Sequence, residues 1–364
     1  MQNHELVRIS LQSPFLTSIG IYSILLGLSF LALYNSREGT FLNRGITQQV
    51  RGAAILLVVV GHIGYHTLVS RDNFLVLGDY GVSIFFVLSG FGLARSYPNR
   101  ALSVREFFVS RVSRVMVPYW IATAIILILD FILIDRKYDI STVLLTVCGI
   151  NISMAARHLD YVRWYITASL IWYVFFALYW GRVYGKKLIL LFFVTGVFLI
   201  LSNYYVVPIG YGFLSFPFGV ALGVSYDWVR YFFARFPGRF WIFIAICIFL
   251  SVYTLEGWLL PRMESMIPYL AIVFLKEMIL ISFTVAALIV FSIACKNNGS
   301  VFLRFAGAVS YELFLFHGVF MVKYDFILFK GPMILAFWPY LCFMVIISSL
   351  IQKAARGLQK RINA

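Results

Sequence analysis

Arg51-Gly-Ala-Ala-Ile-Leu-Leu-Val-Val-Val-Gly-His62 is an unbroken apolar run with an arginine at one end and a histidine at the other. Its interior has no polar face, so a helix built from it has to be surrounded by protein or lipid on every side. Eleven residues make about three helical turns. Arg51 and His62 therefore share one face, roughly 16 Å apart along the axis. The run lies within a longer apolar stretch, 50–69, which is long enough to cross a bilayer.

Similar stretches recur along the chain. Spans are expected at 15–34, 50–69, 80–97, 116–134, 164–181, 187–206, 211–228, 240–257, 269–295, 307–329 and 333–352. The expected fold is all-α: a polytopic integral membrane protein with about eleven transmembrane helices. Composition agrees, with 62% hydrophobic and 12% charged residues, against roughly half and a quarter in soluble domains. The mean hydropathy is +0.90. There is no long linker, low-complexity tract or internal repeat.

The net charge of +15 would suggest nucleic acid in a soluble protein. Here the basic residues sit in short loops, and basic and non-basic loops alternate. Under the positive-inside rule the N-terminus lies outside and the C-terminus in the cytoplasm. The expected location is the cell's inner (cytoplasmic) membrane, with the bilayer and not nucleic acid as partner. Cys148, Cys247, Cys295 and Cys342 are scattered without CxxC spacing, so neither a disulfide nor a zinc framework is expected. No cleavable leader is expected either. The apolar segment 140–152 is too short to span and is read as interfacial or re-entrant, either a loop plug or a lid over an acceptor site.

Ionisable groups inside spans are costly and usually functional. By the loop charges, Arg51 sits at the cytoplasmic edge and His62 near mid-membrane. His66 is one turn beyond His62, but no third ligand accompanies the pair and no metal is expected. His317 enters its span at a depth similar to that of His62, so the two can face one cavity. Glu312, on the same span, can orient an imidazole or pair with an arginine. Lys276 and Glu277 lie inside 269–295 and point in different directions. They are candidates for an acceptor path from outside, as is Trp164. Trp164 also reads, with Trp180, Trp228, Trp241 and Trp338, as part of an interfacial belt.

Four ordered segments carry a resemblance. Arg51-x10-His62 resembles the signature of the acyltransferase-3 family of membrane-bound acyltransferases. Gly81-Val-Ser-Ile-Phe-Phe-Val-Leu-Ser-Gly-Phe91 is similar to that family's GVxxFFxLSGF segment. Phe108-Val-Ser-Arg111-Val-Ser-Arg114-Val-Met-Val-Pro118-Tyr119 is similar to its arginine-rich stretch ending in Pro-x-Tyr or Pro-Tyr. Ser310-Tyr-Glu-Leu-Phe-Leu-Phe-His317 resembles its late SYxxYLxH segment. Some departures stand beside these. Ser83 occupies a position where an acidic residue is common, and Trp164–Trp172 lacks the paired glutamates of many members.

The resemblance implies a ten-span core over 46–364, with 1–45 contributing an extra N-terminal span. It implies transfer of an acyl group, most simply acetyl, from cytoplasmic acyl-CoA. The acceptor would be a hydroxyl of a surface or exported polysaccharide, or of its lipid-linked glycan precursor. Arg51, Arg111, Arg114 and Tyr119 would then hold the donor, guanidinium forks being suited to phosphate oxygens; Arg51 would either complete that clamp or act catalytically by stabilising the thioester oxyanion. His62 would be the general base or, in a covalent variant, the acylated nucleophile. Glu312 and His317 would be its companions. The competing reading is a proton-coupled transporter of a polar solute, built on the same buried charges. It lacks inverted repeats and paired broken spans.

Overall fold

The structure, a computed structural model, describes residues 41–65, 77–96, 104–151, 159–179, 182–205, 212–263, 265–294 and 299–362. Among these the secondary structure is helical and no strand occurs. The expected span 15–34, the outer residues of 50–69 and His66 lie outside the described residues.

The helices are α1 Arg44–Tyr65, α2 Gly78–Ser96, α3 Val104–Ile134, α4 Ile140–Val147, α5 Trp164–Tyr179 and α6 Gly185–Tyr205. They continue with α7 Ser215–Val224, α8 Tyr226–Arg235, α9 Gly238–Thr254, α10 Leu260–Met263, α11 Tyr269–Ala294, α12 Val301–Ala308, α13 Ser310–Val322 and α14 Met333–Ile362. Six helices among the described residues are long and apolar enough to cross a membrane, and up to eight if two bent pairs count as one span each. The expected count of eleven is therefore not reached on length and composition.

The differences have local causes. The expected span 211–228 is divided at Ser225 into α7 and α8. Helices α8 and α9 meet at 109° around Pro237, whose missing N–H and fixed φ break a helix. Helices α12 and α13 meet at 76°, so the expected span 307–329 has a corner at Val309, just before the late motif, which lies wholly within α13. The outward surface is apolar: Phe131, Leu190, Phe198, Phe243 and Leu250 are all exposed, as a lipid-facing belt requires.

Glycines set the closest helix contacts. A Cβ on Gly90 would run into the Phe216 carbonyl of α7, and one on Gly219 into the Val87 carbonyl of α2. Gly52 on α1 and Gly307 on α12 meet backbone in the same way, the latter at the Gln48 carbonyl. Small residues of this kind let backbones touch where lipid offers no hydrophobic drive.

Polar clasps reinforce the packing. Glu277 on α11 is fully buried. Its Oε1 accepts from the N–H groups of Gly212 at 2.6 Å and Phe213 at 3.2 Å, and its Oε2 from Leu214 N at 3.0 Å. It thus holds the turn 212–214 that leads into α7, satisfying three backbone amides that precede the helix. Beside it, Ser83 Oγ meets Ser215 Oγ at 2.8 Å and Thr284 Oγ1 at 2.9 Å, joining α2, α7 and α11. On another side Lys323 Nζ pairs with the buried Asp130 Oδ2 at 2.8 Å. Tyr138 donates to the same oxygen at 2.6 Å, and Tyr324 donates to Oδ1.

The segment 140–152 forms the short helix α4, capped by Asp139, whose Oδ2 accepts from Thr142 N at 2.9 Å. The Ser141 and Thr142 hydroxyls and the Thr142 N–H hold this carboxyl well below the usual carboxylate range. The helix buries Thr142 and Thr146 and exposes Ile140 and Leu144. It turns its polar side to the protein and its apolar side outward, as an interfacial element does.

Gly307→Val is expected to cost about 3 kcal/mol or more, because the added methyls meet backbone that cannot rotate away. Thermal unfolding of the detergent-solubilised protein would read this as a fall in Tm. An unchanged Tm would contradict the close α1–α12 contact.

Candidate active site

His62 lies in the last turn of α1, and His317 lies in the middle of α13 with no exposed surface. The two are 255 residues apart in sequence, yet His62 Nδ1 is 2.5 Å from His317 Nε2. Their ring planes differ by 8° and the centroids are 4.8 Å apart. With the nitrogens that close, the contact is an in-plane, edge-to-edge hydrogen bond and not a face-to-face stack.

A carbonyl decides who donates. His317 Nδ1 is 2.8 Å from Phe314 O, and a carbonyl oxygen only accepts. His317 Nδ1 therefore carries hydrogen, and in the neutral ring its Nε2 is left with the lone pair. His62 Nδ1 must then donate to that lone pair, so neutral His62 keeps its own lone pair on Nε2. Gly78 of α2 faces this nitrogen: a Cβ there would be 3.7 Å from His62 Nε2. Tyr161 packs edge-on against the His62 ring at 5.2 Å. Tyr340 of α14 donates to the His317 carbonyl at 2.7 Å and holds α13 in place.

Arg51 lies three turns before His62 on α1. Its side chain is exposed, and Tyr165, Tyr173 and Arg114 are near enough to act on its charge. Arg114 is exposed nearby, whereas Arg111 turns aside, its Nη2 donating to Ser96 Oγ at 3.2 Å. Gln359 of α14 donates to Ser113 O at 3.2 Å, which brings the basic C-terminal turn of Lys360 and Arg361 to the same end.

The other expected site residues are placed apart from this line. Glu312 is five residues before His317, about 7.5 Å along the helix axis. Gln352 Nε2 donates to its Oε2 at 3.3 Å, and Arg356 supplies the nearby positive charge. Its hydrogen-bond partner is thus Gln352 rather than either histidine of the pair. Tyr119 is fully buried, and its hydroxyl donates to Thr146 O at 2.7 Å and Asn151 Oδ1 at 3.1 Å. Glu277 is held by the amides of the turn 212–214 before α7, while Lys276 is half-buried and shares the field of Glu256 with Asp79. Trp164 is partly buried, with its ring 6.4 Å from those of Phe86 and Tyr165. Among the described residues no three His, Cys, Asp or Glu side chains sit together as metal ligands would.

Sequence reasoning missed Asp160 and Arg163, which read as loop charges but are both buried. It also missed the tyrosines around Arg51. The Asp-Tyr-Val-Arg spacing, i to i+3 just before an apolar run, was the available signal, since it places both charges on one side of a turn.

A family model described as an acyltransferase domain, that of the acyltransferase-3 family, matches residues 48–353. The chain belongs to this family of membrane acyltransferases. No curated protein and no solved structure matches it.

His317→Leu removes the group that fixes the His62 tautomer. Acyl transfer is expected to slow about 10- to 100-fold, less than for removal of the His62 imidazole, with the effect in kcat rather than KM. Steady-state kinetics would check this. A rise in KM at constant kcat would contradict a positioning role.

Proposed function

We propose that this protein moves an acyl group, most simply acetyl, from cytoplasmic acyl-CoA to a hydroxyl of a carbohydrate. The acceptor is a surface or exported polysaccharide or its lipid-linked precursor, and the protein sits in the inner membrane with its C-terminus in the cytoplasm. The observation that carries the reading is the His62–His317 pair, whose tautomers put a basic lone pair on His62 Nε2. Membership of the acyltransferase family supports the reaction class, and the loop charges support the orientation.

In the proposed step the acceptor O–H gives its proton to His62 Nε2 while its oxygen attacks the thioester carbonyl carbon. A C–O bond forms and the C–S bond breaks. The electron pair leaves on the CoA sulfur, and the imidazolium returns the proton there. His317 stabilises the charged His62 through the Nδ1–H bond, and its own Nδ1–H is anchored on Phe314 O. The charge arises beside a prepositioned acceptor, so little reorganisation accompanies it.

Arg51 and Arg114 take the donor's phosphates at the cytoplasmic mouth. The roughly 16 Å from Arg51 to His62 along α1 gives Arg51 that task rather than the oxyanion, and the donor's pantetheine arm bridges the distance. Arg111, bonded to Ser96, contributes its charge from one side.

His62→Ala is expected to lower acyl transfer at least about 1000-fold while the protein still inserts and binds acetyl-CoA. Full product acylation by this variant would overturn the mechanism. Arg114→Ala is expected to raise the acetyl-CoA KM about tenfold, the worth of one charge-assisted contact. Unchanged donor affinity would remove Arg114 from the donor site. Both are read from CoA release and labelled product.

A further inference from the structure

A second polar group sits against the histidine pair. Arg163 has no exposed surface, and Asp160, Asn151 and Thr146 are buried with it. They lie between α3, the start of α5 and the end of α4. Arg163 Nη1 donates to Thr123 Oγ1 at 2.7 Å, and its guanidinium carbon is 4.9 Å from the centre of the Tyr119 ring. The Tyr119 hydroxyl in turn donates to Asn151 Oδ1.

Buried side chains normally satisfy their polar atoms, but here many are unsatisfied. Arg163 Nε and Nη2, Asp160 Oδ2, Asn151 Nδ2 and Thr146 Oγ1 have no hydrogen-bond partner. They are five of the ten such atoms among the described residues, so the shortfall is concentrated in one place. Asp160 Oδ2 and Arg163 Nε are 3.7 Å apart. That is too far for a hydrogen bond and close enough for one oxygen to touch both.

Charge narrows what that oxygen is. An anion would be repelled by Asp160 and a cation by Arg163. A neutral hydroxyl accepts from Arg163 and donates to Asp160, and Asn151 and Thr146 offer further donors to its neighbours. The place is also right for an acceptor. Tyr161, between Asp160 and Arg163, touches the His62 ring. Asp160 Oδ1 would lie 3.2 Å from a Cβ on Gly318, the residue after His317.

The geometry points to a polyol subsite: Asp160 and Arg163 bind a second, non-reacting hydroxyl of the acceptor while the reacting hydroxyl meets His62. The inference rests on the acyl-transfer reading above and adds to it the residues that read the acceptor's non-reacting hydroxyls and so reject a simple alcohol. A site built to hydrogen-bond a hydroxyl discriminates strongly against an analogue lacking it, because its buried groups are left unpaired. A resident water would use the same partners and give no such discrimination.

The test uses the full chain in lipid nanodiscs with labelled acetyl-CoA and two probe acceptors. These are methyl glucoside and tetrahydropyran-2-methanol, which keeps the ring and primary alcohol but lacks the ring hydroxyls. The unaltered protein is expected to favour methyl glucoside at least about tenfold in kcat/KM, and Asp160→Asn and Arg163→Lys to bring that ratio close to about 1. Equal use of the two acceptors by the unaltered protein would overturn the subsite. This arm stands even if the variants do not fold. Variants that lose rate on both acceptors with the ratio intact would also overturn it. Transfer to neither acceptor by the unaltered protein would overturn the acyl-transfer reading, and the subsite with it.

Discussion

The Phe314 carbonyl fixes one proton, and two ring states follow from it. Because the carbonyl can only accept, His317 must donate from Nδ1. His317 Nε2 must then accept from His62 Nδ1, and the basic pair of His62 ends on Nε2. No carboxylate is needed to set this order. Of the two companions that the resemblance implies for His62, Glu312 and His317, it is the imidazole that touches it, and the orientation of that second ring comes from backbone.

This relay needs α1 and α13 held in strict register, and the bundle supplies the constraint. Gly52 and Gly307 bring α1 against α12 at backbone contact, and the corner between α12 and α13 then aims His317 back at α1. Tyr340 ties the His317 carbonyl to α14. Further off, Glu277 clamps α7 to α11 and the Ser83–Ser215–Thr284 cluster locks α2 to both. These buried groups are satisfied within the protein, as an apolar surround demands.

The sequence makes the all-helical membrane character plain, because 20-residue apolar runs have few other folds open to them. It also shows which face of α1 carries Arg51 and His62, since helical geometry is regular. It does not show the contact between His62 and His317. That pairing depends on the bend at Val309, and a bend inside an apolar run leaves little trace in composition. The same holds for the bend at Pro237 and the break at Ser225, which leave little trace in composition either. Asp160 and Arg163 read as loop charges because hydropathy places them at a span edge. Their burial comes from packing against Thr123 and Tyr119 of α3 and Gly318 of α13, a tertiary event. Glu277 is visible as a charge in a span, but its partners are backbone amides, which no side-chain pattern reveals.

Nitrogen-15 NMR of histidine-labelled protein in bilayers, with His62 and His317 assigned by substitution, tests the central claim most directly. At a pH where both rings are neutral, the account predicts hydrogen on Nδ1 of each ring, an unprotonated Nε2 on His62 and a scalar coupling across the His62 Nδ1–H···Nε2 His317 bond. Hydrogen on His62 Nε2 with Nδ1 unprotonated would contradict it.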